Sequence, residues 1–471
     1  MIAVLLIGCR SPLISSRSGL NDGVLEIDET TFSNSAFRVG VLLPLSGSDS
    51  RYGQGLKNVA LMALEDMNNP NLILQFYDTE SSAEGAEAAA EIALRQKVRM
   101  IIGPLTSRSV QSVSRVTTSA GVPVIAFSTD TDVLQHQIYT LGLLVEEQTE
   151  RIVNYAAAQG RLRFALLVPD NQTGITTARA AAAAATKVGA KVVKIAFYDP
   201  AATDFSEIIR QLSDFDNRSA EIVKEKNKLK AMAEQGDVSA KKQLQKLSGT
   251  ETSYGVDFDA VLIPESGSRL KSIAAMFGYY DVFAPEVKFL GTSIWENTKL
   301  NRESTLRGSW YPALSRNHSA YFNKKYNSLF KEYPHGLYAF AYDAVALASV
   351  LAKQNPYDMN AAITNSDGFI GISGVFRIFT NGKNQHSLDI LEVTSSGDVV
   401  VDLAAKKFSY LPDFDYELTV AESYDAEPPL IYGKDKNEAE KAVFGRPLGS
   451  KVTNDYPEAE DYRFFDSYYR H

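Results

Sequence analysis

The stretch from Phe37 to Asn68, FRVGVLLPLSGSDSRYGQGLKNVALMALEDMN, limits what this chain can fold into more than any other. Val39 to Leu43 is a near-continuous apolar run, which predicts a strand buried on both faces of a parallel sheet. A loop of small polar residues follows at Ser46 to Ser50. Then Leu56, Val59, Ala60, Ala63, Leu64 and Met67 fall at i, i+3, i+4, i+7, i+8 and i+11, the spacing of an amphipathic helix. A buried strand, a polar loop and such a helix form the first half of a βαβ unit. Its ligand-facing end lies at the carboxyl end of the strand.

The alternation continues. Strands are predicted at Leu72 to Tyr77, Val98 to Ile102, Val122 to Phe127 and Ile138 to Leu143, with helices at Ala83 to Gln96 and from Ser107 to Val116. The pattern restarts with a helix at Val145 to Gln159, strands at Phe164 to Val168 and Val192 to Phe197, and an alanine-rich helix at Thr177 to Val188 between them. Strand Ala260 to Pro264 and helix Leu270 to Phe277 complete this second set. Two successive sets predict an α/β fold of two doubly wound, Rossmann-like lobes. Ser213 to Tyr254 breaks the rhythm with EIVKEKNKLKAMAEQ and related sequence, which reads as one or two exposed helices inserted into the second lobe. Hairpin signals occur at Asn381-Gly382 and Ser396-Gly397. The stretch 421–471 is rich in acids and tyrosine and is expected to be a loosely ordered tail.

Several function classes are excluded. With 48 basic against 57 acidic residues the net charge is −9, which disfavours nucleic acid as a partner. A Ser/Asp-rich stretch, and not a basic helix-turn-helix, precedes the first lobe. Five scattered histidines and one cysteine form no metal site of familiar spacing. No GxSxG, P-loop or GxGxxG stands in a suitable context, so no catalytic residue and no cofactor is expected. The single cysteine closes MIAVLLIGC, a short apolar run that resembles the lipobox of bacterial lipoproteins, with lipid attached at Cys9. On this reading 1–9 is a signal peptide and 10–36 a flexible tether. Arg10, in place of the Asp that retains some lipoproteins at the inner membrane, points to the outer membrane.

VGVLLPLSG, YGQG and ALEDMN, followed in order by IIGPLTS (Ile101 to Ser107), VPVIAFST (Val122 to Thr129) and FLGTSIWEN (Phe289 to Asn297), resemble the leucine/isoleucine/valine-binding protein family, the type I periplasmic binding proteins. The resemblance covers roughly Phe37 to Asp402. It implies a periplasmic protein with lobe I at 37–144 plus 288–365 and lobe II at 145–287 plus 366–420. Val287 to Gly291 would return to lobe I, and the chain would cross between lobes about three times at a hinge, with a ligand cleft between the lobes. It also implies cleft-lining roles for Tyr52, Thr106, Ser107, Ser128, Thr129, Thr173 and Ser293, where the Ser/Thr loops hold the carboxylate and amine of an amino acid.

Two departures matter. Members that bind amino acids place an acid near the loop after FLG, whereas this loop reads Gly291-Thr292-Ser293-Ile294-Trp295 with no acid before Glu296. Glu265, after the DAVLIP strand, is the available substitute for pairing with an ammonium. Asp130 meanwhile stands beside the carboxylate position, where like charge repels. The charged insertion before FDAVLIPES and the segment LRGSWYPAL (Leu306 to Leu314) are similar to the penicillin-binding-protein activator lipoproteins. That resemblance implies a peptidoglycan synthase as partner. The alternative is an ABC importer permease as partner, with a small polar solute held in the cleft.

Overall fold

The computed structural model describes residues 36–253, 255–408 and 417–449. The expected lipidation at Cys9, the signal peptide and almost all of the tether lie outside the described residues. Strand β1 (Phe37–Leu43) runs parallel between β2 (Leu72–Asp78) and β3 (Met100–Ile102), and β4 (Val124–Ala126) and β5 (Ile138–Thr140) complete a five-stranded sheet of order β2-β1-β3-β4-β5. Helix α1 (Ser50–Met67) covers one face through Leu56, Val59, Ala60 and Ala63, the positions its period predicts. Each large one of these contributes about 1.5–3 kcal/mol by leaving water. Helices α2 (Ala83–Arg95) and α3 (Ser107–Ala120) cover the other face, with Ala86, Ala89, Ala90 and Ala93 allowing close approach.

The chain crosses at Leu141 to Leu144 into lobe II. There it forms α4 (Val145–Ala158), β6 (Arg163–Pro169), α5 (Gln172–Lys187), β7 (Lys191–Tyr198), α6 (Ser206–Leu212), α7 (Phe215–Glu234), α8 (Val238–Lys246), β8 (Ala260–Leu262), α9 (Gly267–Tyr279), β9 (Lys288–Leu290) and β10 (Trp310–Leu314). Strand β9 stays in lobe II, contrary to the expectation for Val287 to Gly291. It is buried and pairs in parallel with both β8 and β10, so its apolar residues are satisfied at the centre of the second sheet. The inserted segment is a helical hairpin, α7 and α8. Its root is Arg218, whose guanidinium donates to the carbonyls of Ser213, Tyr280 and Asp281 and to Thr252 Oγ1, all at 3.1–3.2 Å.

At Ser315 the chain returns to lobe I as α10 (Arg316–Phe330), α11 (Leu337–Gln354), α12 (Met359–Ile363) and a small antiparallel sheet of β11 (Phe369–Gly371), β12 (Gly374–Ile378) and β13 (Asn384–His386). These elements pack into the same core as β1 and α1, so 366–386 belongs to lobe I and not to lobe II as expected. At Ser387 the chain crosses for the third time. Strands β14 (Leu388–Thr394) and β15 (Gly397–Asp402) extend the lobe II sheet as an antiparallel hairpin.

The expected loose tail from 421 onward is instead ordered as far as Gly449. Helix α13 (Glu417–Asp425), β16 (Leu430–Tyr432) and α14 (Lys436–Phe444) pack on lobe II, and β16 pairs in parallel with the edge strand β7. Val420, Ala421, Tyr424, Ala439, Val443 and Phe444 enter the core beside α5. Acidic composition concealed this apolar stripe. The finished sheet reads β15-β14-β10-β9-β8-β6-β7-β16.

Candidate functional site

The carboxyl ends of β1, β3 and β4 carry the lobe I groups. Asp78, ending β2, accepts from the N–H groups of Leu45 (2.9 Å), Ser46 (3.1 Å) and Glu80 (2.8 Å), and so fixes the loop after β1. Burial works to raise its carboxyl pKa, but bonds from Ser46, Glu80 and Leu45 outweigh that and hold it below the usual carboxylate range. Gly53 is required at this turn because a Cβ there would lie 1.9 Å from the Pro44 carbonyl oxygen. Tyr52 is 43% exposed and meets His335 edge-to-face at 5.5 Å.

Thr106 caps α3, accepting weakly from the Ser109 N–H at 3.4 Å and donating to Ser109 Oγ at 2.9 Å. Ser107 Oγ and Ser128 Oγ lie 3.1 Å apart, so the loops after β3 and β4 meet. Ser128 Oγ also accepts from the Asp130 N–H, and Asp130 in turn caps the turn at Asp132. Thr129 is exposed beside Gly142 at the first crossing.

Lobe II presents groups already engaged. Glu265 Oε2 accepts from Tyr198 Oη at 2.9 Å and from Arg269 Nε at 2.8 Å. The Arg269 guanidinium lies over the Phe205 ring at 5.1 Å. Burial first, and Glu265 second, push the Tyr198 phenol well above its ordinary value, so it remains a donor at neutral pH. Glu265 therefore has a cation of its own. Thr173 is exposed in the first turn of α5, which Asn171 caps. Asp170, before it, is held by Lys434 at 2.8 Å. Ser293 donates its N–H to Gln148 Oε1 at 2.9 Å. Beneath it Trp295 is fully buried, with its ring under Gly291 and its Nε1–H given to the Ile263 carbonyl. Glu296 is exposed. Burial, with Asp398 adding and Arg316 opposing, raises its carboxyl pKa.

Sequence reasoning missed a cavity of about 440 Å³ between the lobes, which none of the eight predicted residues lines. Helices α4, α5 and α14 wall it on one side, and Thr131, Asp132 and the Phe379–Gln385 hairpin on the other. Its charged lining includes Glu146, Glu150, Arg179 and Lys383, and Lys383 approaches Glu146 across the lobes at 3.7 Å. No local motif marks it, because its walls come from parts of the chain far apart in sequence. Among the described residues no cluster of His, Cys, Asp and Glu fits a metal ion, and no helix is long and apolar enough to cross a membrane.

Two α/β lobes joined by three crossings, with loops at the strand ends facing a crevice, define a type I periplasmic binding fold. Residues 36–217 match the periplasmic binding protein family. A leucine-binding protein of Thermotoga maritima has a similar structure: TM-score 0.52 at 18% identity, covering 78% of this chain and 99% of its own. A putative branched-chain amino acid ABC transporter protein of Rhodospirillum rubrum gives 0.61 at 15%, covering 78% and 100%. A solute-binding protein of Rhodopseudomonas palustris in complex with 4-hydroxybenzoate gives 0.52 at 18%, covering 80% and 98%. An uncharacterized protein of Rickettsia prowazekii is 21% identical over 247 residues, which span 52% of this chain and 64% of that protein.

Proposed function

We propose that this chain is a non-enzymatic, lipid-anchored periplasmic protein that regulates a peptidoglycan synthase, as the penicillin-binding-protein activators it resembles do. The observation that carries this reading is the α7–α8 hairpin. Its base is fixed by the four bonds of buried Arg218, while Val223 and Val238 stay 53% and 67% exposed beside exposed Lys224, Lys228 and Lys241. A rigidly rooted arm with apolar points among lysines loses little entropy when it docks. The engagement of Glu265 by Arg269 supports the same reading, since it pairs the acid that the sequence offered for an amino-acid ammonium. The test is the affinity of the full chain for a purified synthase. Val223→Asp with Val238→Asp should weaken it at least about tenfold, the scale of one interface hot spot. Unchanged affinity would remove the arm from the interface.

A second reading, a solute receptor for an ABC importer, draws on the crevice of lobe I. The paired hydroxyls of Ser107 and Ser128 stand at the amino end of α3, whose free N–H groups favour an anion. The relative that holds 4-hydroxybenzoate binds a carboxylate that carries no ammonium. Such an acid needs no partner like Glu265, so an organic carboxylate without an amine is a class to test beside the uncharged polar solutes that Asp130 does not repel. Thermal shift against hydroxybenzoates and amino acids separates the two classes, since a ligand at 100 times its Kd adds about 2.7 kcal/mol. Silence across both panels would leave the activator reading alone.

A further inference from the structure

The first and third crossings run side by side and are joined mainly through side chains. Asn384 Oδ1 accepts from the Gly142 N–H at 3.3 Å, and Asn384 Nδ2 donates to the Gly142 carbonyl at 2.7 Å. Glu147, the third residue of α4, accepts from the Leu144 N–H at 2.9 Å with one oxygen and from the His386 N–H at 2.7 Å with the other. Between these clamps lies the His386 imidazole, fully buried, edge-on to Phe340 and stacked on Phe376. Its Nδ1 is 3.0 Å from Asn384 Nδ2 and 3.5 Å from Glu147 Oε1, and its Nε2 has no partner among the described residues.

The two hydrogen bonds with Gly142 fix which way the Asn384 amide points, so its nitrogen must face His386. That nitrogen is a donor only, so Nδ1 must accept, and the ring is neutral with its hydrogen on Nε2. A buried N–H without an acceptor is costly, so this arrangement is held by the clamp and not preferred by the ring. A proton arriving at Nδ1 would meet different company. Among the described residues, the titratable groups that face the ring are the carboxyls of Glu147 from α4 and Asp343 from α11, both of whose pKa values burial raises while His386 works to lower them, and Phe340, Phe376 and the Asn384 amide lie beside it. Once Nδ1 carries hydrogen it repels the Asn384 amide and attracts Glu147.

We propose that His386 is a proton-operated latch on the hinge: the neutral ring keeps Asn384 clamped to Gly142, and the imidazolium exchanges that clamp for an ion pair with Glu147, resetting the angle between the lobes. The device belongs to the hinge and operates whichever partner the protein serves.

The test uses the full chain with Cys9→Ser, labelled with ¹⁵N-histidine and with spin labels at exposed Gln111 on lobe I and exposed Ser272 on lobe II. His386 should show the Nε2–H tautomer at the start of a downward pH series and an imidazolium on acidification. The distance between labels should shift in step by about 2 Å or more, the scale of hinge rearrangement. The shift should vanish in His386→Gln, while Glu147→Gln should lower the midpoint. A His386 that stays neutral, one that titrates while the distance holds, or an unchanged pH response in His386→Gln would each overturn the proposal.

Discussion

The two lobes brace their crevice loops by opposite means. In lobe I a single carboxylate, Asp78, gathers three backbone N–H groups, and the surrounding hydroxyls bond one another. In lobe II aromatic rings carry the floor: Trp295 under Gly291, and Tyr198 and Phe205 against Arg269 and Glu265. A floor of main chain and hydroxyls leaves polar groups able to change partners at little cost. A floor of buried rings and paired charges does not, because each substitution opens a cavity or orphans a charge. Adaptable chemistry therefore sits in lobe I and rigidity in lobe II, where the arm is rooted.

The hardest test of that contrast is Trp295→Ala, expected to cost about 3–5 kcal/mol by cavity formation. The cost is read from urea unfolding, and a loss under about 1 kcal/mol would mean lobe II has no aromatic floor in the sense claimed. Asp78→Ala in lobe I should cost less, about 2 kcal/mol, as expected for bonds to a charged acceptor near solvent. Its pH signature is specific. The folded Asp78 carboxyl has a lowered pKa, so its contribution is present above the unfolded value near 4 and fades as pH falls through the folded value. Amide exchange in Leu45 and Ser46 should therefore rise in wild type on acidification below about pH 4, with no such step in Asp78→Ala. The smallest effect belongs to the C-terminal segment. Arg446 holds Asp425 with two bonds at 2.5 and 2.8 Å and lowers its pKa, so Arg446→Met should loosen α13 and α14 in hydrogen exchange while leaving the midpoint of global unfolding within error.

How much of this was legible follows from the range of the interactions involved. Buried parallel strands announce themselves as apolar runs, so β1, β3, β4, β6, β7 and β8 stood in the sequence. The lobe assignment of Lys288 to Leu290 did not, because an apolar run states that it is buried but not which sheet buries it. The ordered tail was hidden for a related reason: Val420, Ala421 and Tyr424, and Ala439, Val443 and Phe444, do keep helical spacing, but each stripe is only about one turn long and is set among acids. At the site, residue types were readable and their commitments were not. Glu265 read as a free acid, and only the fold brings Tyr198, 67 positions away, within hydrogen-bond reach. His386 gave no signal at all, since neither clamp lies near it in a recognisable motif.

The pairing of β16 with β7 also sets an order in time. Strand β7 spans Lys191 to Tyr198, but its outer neighbour is made more than two hundred residues later, so for much of synthesis the edge of lobe II is a row of unpaired N–H and C=O groups. A nascent chain in that state is a template for a neighbour's strand. The interval closes only when Leu430 to Tyr432 dock and α14 covers α5, which makes the last described stretch of the chain a safeguard against misassembly as much as an addition to the core.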